Sequence, residues 1–292
     1  MSNHFQFKRY RHKLQMNYYH YHHLMAELYQ KYCPLSWRER RNIKQSKISD
    51  VTCLTLLGLQ AYLGIASQRK FVSFLQTFLP HKFKIERSRF NRRARQLLPA
   101  VNAIRNGLTR DYFTGDSVVI IDSFPLPLCQ PIRRYRAKIF KDYANQGYNA
   151  TKKMWFYGFK AHLVISASGY VLNYAITAAS VHDVTAAPEL IANCPCPNVL
   201  ADVGYVGQKL QDEFDRMGYH LWTPYRSNMR GAKEHNKRNL KQLRRTIETR
   251  FSVLVSSFGI ENIRMRSLSG FQLQFELILL TYNLGFFEFT TN

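Results

Sequence analysis

Two acids stand where strands should end. Asp122 closes the run Val118-Val119-Ile120-Ile121, and Asp202 closes Asn198-Val199-Leu200-Ala201. Short continuous apolar runs read as strands buried on both faces, which makes these two candidate central neighbours in a sheet. In an open α/β sheet, ligands bind beyond the strand ends. Two carboxylates placed there repel each other unless a cation lies between them. An all-oxygen ligand set suits a hard divalent ion, Mg²⁺ or Mn²⁺. A third acid, Glu248, lies in RRTIETRFSVLVSSF. There Ile247, Phe251, Leu254 and Phe258 recur at helical spacing and form a stripe that would pack on the sheet, with Glu248 at its edge. Arg244, one turn earlier, shares the face of Glu248. Lys241 and Arg245 add to the cations around it, a setting for a metal ligand close to phosphate. Singly, each acid has a plainer reading: a turn or cap residue for the Asp, a solvated ion pair for the Glu. The conjunction is what points to chemistry.

The partner class follows from charge. The 292 residues carry 42 Lys and Arg against 19 Asp and Glu, a formal charge of +23. Residues 1–115 hold 21 basic and 5 acidic residues, net +16, so most of the excess sits there. A balance this basic calls for a polyanion, nucleic acid or a membrane surface. The two longest apolar stretches, residues 51–65 and 271–289, are respectively too short and too interrupted by polar residues to span a bilayer. Both read as buried helices, which favours nucleic acid. Five cysteines at scattered spacings match neither a disulfide framework nor a zinc site. They read as reduced thiols in a cytoplasmic protein, and the N-terminus has no apolar signal core.

The elements that would position the acids divide near residues 109–117. Before that, helical patterns run over 16–32, 49–65, 70–80 and 87–108, the last bent or divided at Pro99. It carries Arg92 and Arg93 on its polar face. After it, strand patterns cover 117–122, 154–166 and 170–180, the last two joined by an Ala167-Ser168-Gly169 turn. A helix over 183–193, a strand from 198, a helix over 208–218, a strand over 219–225 and a long helix over 235–259 complete the order. This alternation describes an α/β protein with a mixed sheet flanked by helices. Two regions are expected: residues 1–115, helical, basic and DNA-binding, and residues 116–292, carrying the acids. The loop RRYRAKIFK reads equally as a solvated loop or as one that offers Arg133 and Arg134 to phosphates and its aromatics to bases. His182-Asp183 reads as a helix N-cap.

Taken together, VVIIDSFPLPL, YGFKAHLVISASGYVL, ASVHDVTAAPEL, VLADVGYVG and LRRTIETRFSVLVSSFGIENIRMRS resemble the DDE transposases of bacterial insertion sequences, most closely the insertion-sequence family numbered nine-eighty-two. The resemblance covers about residues 117–287. It implies an RNase H-like catalytic fold with Asp122, Asp202 and Glu248 as the three acids, holding two Mg²⁺ or Mn²⁺ ions. The spacings of 80 and 46 residues fit a catalytic domain without a large insertion. On the last helix Arg244 and Glu248 match the family pattern, whereas Lys241 and Val255 stand where Tyr and Lys are usual. The resemblance places His182 and Asp183 near the active site in a supporting role. It implies DNA end cleavage followed by strand transfer, on double-stranded DNA, by a homodimer or higher assembly in a bacterial nucleoid. A nuclease of the same fold that cuts without joining, and a non-catalytic DNA-binding derivative, remain alternatives.

Overall fold

A computed structural model describes residues 2–79, 86–113, 115–149, 152–236 and 240–287, with the side chains of 2–16, 112 and 240–244 left out. In chain order the elements are α1 (Ser2–Tyr32), α2 (Leu35–Arg38), α3 (Asp50–Tyr62), α4 (Gln68–Phe78), α5 (Arg87–Gln96), α6 (Leu98–Tyr112), β1 (Val119–Cys129), β2 (Asn145–Asn149), β3 (Met154–Ser166), β4 (Val171–Ala178), α7 (Asp183–Ile191), β5 (Asn198–Leu200), α8 (Gln208–Arg216), β6 (His220–Trp222), α9 (Ala232–His235), α10 (Leu240–Ser256) and α11 (Leu268–Leu284). They form two compact units. One holds residues 1–112, 257–259 and 263–292; the other holds 113–256 and 260–262.

The first unit is helical. Side-chain oxygens close its helix starts: Ser49 accepts from the Thr52 N–H, Glu86 from the Ser88 and Arg89 N–H groups, and Ser267 from the Gly270 N–H. Each bond satisfies a donor that the first helical turn leaves without a backbone partner. The helix α11 is buried on every side from Leu273 to Leu284. A helix buried all round belongs at the centre of a core, and α3 and α6 pack on it. Residues 116–292 were expected to form one region. The structure differs: α11 belongs to the helical unit, where every residue from Leu273 to Leu284 is buried and no face is left for water.

The second unit is built on a six-stranded mixed sheet in the order β2-β3-β1-β5-β6, with β4 also paired to β3. β2 and β4 share one edge of the 13-residue β3: β2 pairs with its first part and β4 with its second. β1 runs antiparallel to β3 and parallel to β5, and β5 is parallel to β6. With helices on its faces, this is the RNase H-like α/β arrangement that the sequence leads one to expect.

Two strands depart from expectation. β1 does not stop at Asp122 but continues through Pro125 and Pro127 to Cys129. Its pairing with β5 covers only Val119 and Ile120, so the rest pairs on the β3 side alone. Prolines, which lack an N–H, are tolerated where one strand edge is open. β2, over Asn-Gln-Gly-Tyr-Asn, has no β-branched residue and was not foreseen. No helix among the described residues is long and apolar enough to cross a membrane.

Candidate active site

The parallel pairing of β1 with β5 aligns Val119 with Val199 and Ile120 with Leu200. The pairing ends there, and Asp122 and Asp202 each follow two residues after the last paired position of their strands. Each carboxylate is oriented by the backbone. Asp122 Oδ1 accepts from the Ser123 N–H at 2.8 Å, and Asp202 Oδ1 from the Gly204 N–H at 2.6 Å. Asp202 caps a short 3-10 turn, Val203–Tyr205, which tucks Tyr205 into the interior with no exposed surface. Burial, and after it the negative charges of Asp183, Asp122 and Asp202, raise the Tyr205 hydroxyl well above its ordinary range. Its oxygen has no hydrogen-bond partner among the described residues.

Asp183 is the first residue of α7, and its cap His182 makes no side-chain capping bond. The expected N-cap role therefore falls to neither side chain. Instead Asp183 Oδ1 accepts from Ser123 Oγ at 3.0 Å and from Lys160 Nζ at 3.0 Å. Ser123 is thus bonded on one side to Asp122 and on the other to Asp183. Directly opposite Ser123 on β3 lies His162, fully buried, with Nε2 2.9 Å from Thr177 Oγ1. Its Nδ1 is 3.7 Å from Asp183 Oδ1, too long for a hydrogen bond. Burial pushes the His162 ring down from 6.5 to about 4; Asp183 opposes this shift and Lys160 adds to it. Ser123, Lys160, His162 and Tyr205 were not singled out from the sequence. Ser123, Lys160 and His162 meet Asp183 through the pairing of β1 with β3.

Glu248 lies on α10, exposed, beside the buried Ile247 and six positions before the buried Leu254. One turn on, the Phe251 ring packs 4.8 Å from that of Phe124 on β1. Phe124 and Asp122 share a face of β1, two residues apart. The stripe anticipated on this helix thus leans on the strand that carries Asp122. The side chains of Lys241 and Arg244 lie outside the described residues. Arg245, Arg133 and Arg92 are exposed, and Arg134 stacks over the Tyr135 ring at 4.5 Å. Arg93 is a correction to the expected phosphate contacts. Its Nη2 lies 2.6 Å from Asp50 Oδ1 and the side chain is largely buried, so its charge serves the helical core.

Among the described residues, no three His, Cys, Asp or Glu side chains stand close enough to hold a metal ion. The chemistry of Asp122, Asp202 and Glu248, carboxylate oxygens alone, is the kind a hard divalent cation takes.

The model of the transposase DDE domain matches residues 113–284, more than half of the chain. The chain belongs to the DDE transposase domain family. The matched span contains the whole sheet, Asp122, Asp183, Asp202 and Glu248, and it runs through α11. No curated protein matches the chain.

Proposed function

We propose that this chain is an insertion-sequence transposase of bacterial type, nearest the family numbered nine-eighty-two. It nicks DNA at the ends of its element and joins the freed ends to a target. The observation that supports this reading is that Asp122 and Asp202 each follow two residues after the paired positions of the neighbouring parallel strands β1 and β5, within the span the family model matches. Asp122, Asp202 and Glu248 form the proposed catalytic set. Bound Mg²⁺ or Mn²⁺ would ease charge development on the attacking and leaving oxygens at phosphorus. The chain's own part is to orient the carboxylates. Ser123 and Gly204 fix one oxygen of each aspartate through backbone N–H groups, and the Phe251–Phe124 contact sets the helix that bears Glu248. Asp183 is a positioning residue that grips Ser123 beside Asp122. Arg92, Arg133, Arg134, Lys241, Arg244 and Arg245 are the proposed phosphate contacts. The +23 charge supports a DNA partner, and two element ends brought together call for a dimer or higher assembly on DNA.

The test is a strand-transfer assay. The full chain is incubated with Mg²⁺, a supercoiled target and a donor duplex carrying the sequence that flanks its own reading frame. Nicks at the flank boundary followed by joined products are expected. Cutting without joining would leave a nuclease, and binding with neither would leave a DNA-binding derivative.

A further inference from the structure

The segment between β1 and β3 takes no part in the carboxylate site. It leaves β1 at Cys129, makes a 3-10 turn over Pro131–Arg136, and returns through β2 to the start of β3. More than half of the large apolar side chains that stand exposed in the described chain fall within it, between Ile132 and Trp155. Tyr135 is 83% exposed, Trp155 53% and Tyr148 51%. A concentration of this kind on a water-facing surface marks a binding site. Tyr148 and Trp155 are cross-strand partners on β2 and β3, with ring centroids 5.2 Å apart.

Charge identifies the occupant. Residues 130–155 hold seven Lys and Arg and a single acid, Asp142. Protein-binding surfaces are poor in Lys, whereas aromatics interleaved with cations are what single-stranded nucleic acid selects, bases on the rings and phosphates on the cations. Position agrees. β1 carries Asp122 and continues into this arm, and Trp155 lies eight residues along β3 from Leu163, the partner of Asp122. At strand rise that is about 26 Å, or about seven to eight nucleotides of DNA.

We propose that residues 130–149 and 152–155 form a DNA-gripping arm. Tyr148 and Trp155 stack unpaired bases about seven to eight nucleotides from the carboxylates, and Arg133, Arg134 and Arg136 follow the phosphates. The inference rests on the transposase reading only for the identity of the polyanion.

The experiment uses the full chain and two fluorescein-labelled probes: a mixed-sequence 30-base-pair duplex, and the same duplex with three unpaired nucleotides. The chain is expected to prefer the unpaired probe. The double variant Tyr148→Ala, Trp155→Ala should bind that probe about 10-fold more weakly, the worth of a lost base stack, and the plain duplex within about twofold. The variant Tyr148→Phe, Trp155→Phe keeps both rings and should keep the preference, which separates stacking from misfolding. Replacing Arg133, Arg134 and Arg136 with Gln should reduce the salt slope by about 2 to 3. The proposal is overturned if the Ala variant retains the preference, if the Phe variant loses it, or if the Ala variant breaks a dimer in the absence of DNA, which would put a second copy on the patch. Because no cleavage is read, a failed strand-transfer assay would sink the catalytic reading and leave this result standing.

Discussion

His162 has no charge to offer Asp183 at neutral pH, because burial holds its ring near 4 rather than 6.5. Between those values the unfolded chain takes up a proton that the folded chain refuses. Stability is therefore full above about pH 6.5 and falls as the pH drops towards about 4. A series of urea melts should show this decline, and His162→Asn should flatten it; an unchanged pH profile would mean that His162 does not titrate as inferred. Lys160 then supplies the positive charge that Asp183 touches. Lys160→Met should leave Asp183 bonded to Ser123 alone and slow nicking by about 10-fold or more, while Lys160→Arg should restore part of the rate; equal rates in all three forms would remove Asp183 from a positioning role. The aspartates themselves were legible in the sequence because each ends an apolar run. The shell around Asp183 was not, since Ser123 and Lys160 lie 60 and 23 residues away. Only the antiparallel pairing of β1 with β3 brings them together.

At the scale of elements, the β1–β3 ribbon sets both the carboxylate and the arm. It depends on Gly158. A Cβ there would sit 2.3 Å from the Leu126 carbonyl oxygen and 2.9 Å from the Leu128 nitrogen, backbone atoms that cannot swing aside. Gly158→Ala should cost about 1–3 kcal/mol, as overpacking does elsewhere, and a melting curve matching the parent would show that the ribbon yields at no cost. The helices around the sheet were readable from apolar periodicity and caps. β3 and β4 were readable from dense β-branched and aromatic runs. β2 was not, because its residues have low strand propensity and it forms only as an addition to the edge of β3. Nor was the length of β1, because Pro125 and Pro127 suggest a turn unless the open edge is known.

At the scale of the whole molecule, the chain's return into the helical unit matters most. Within that unit Arg105 Nε on α6 lies 2.6 Å from Glu276 Oε2 on α11, both nearly inaccessible. Glu276→Ala should cost about 3–5 kcal/mol by leaving a buried cation behind. The double change Arg105→Met, Glu276→Leu should cost far less, and equal losses would deny the pairing. Residues 1–115 alone carry net +16 but lack α11, the buried centre of their unit. That fragment should show little cooperative unfolding by circular dichroism, and a sharp melt would contradict the assignment of α11. The apolar character of α11 was plain in the sequence, but its membership was not, because periodicity says that a helix is buried and not against what. The full chain should lose DNA affinity steeply between 50 mM and 200 mM salt, as a basic protein that neutralises phosphates must. The most direct test of the central claim is single-turnover nicking of supercoiled DNA in Mg²⁺ by the full chain and by Asp122→Asn, Asp202→Asn and Glu248→Gln. Each variant should bind DNA as the parent does and nick at least about 1,000-fold more slowly; parent-like nicking by any one of them, or undiminished nicking in excess chelator, would contradict the account.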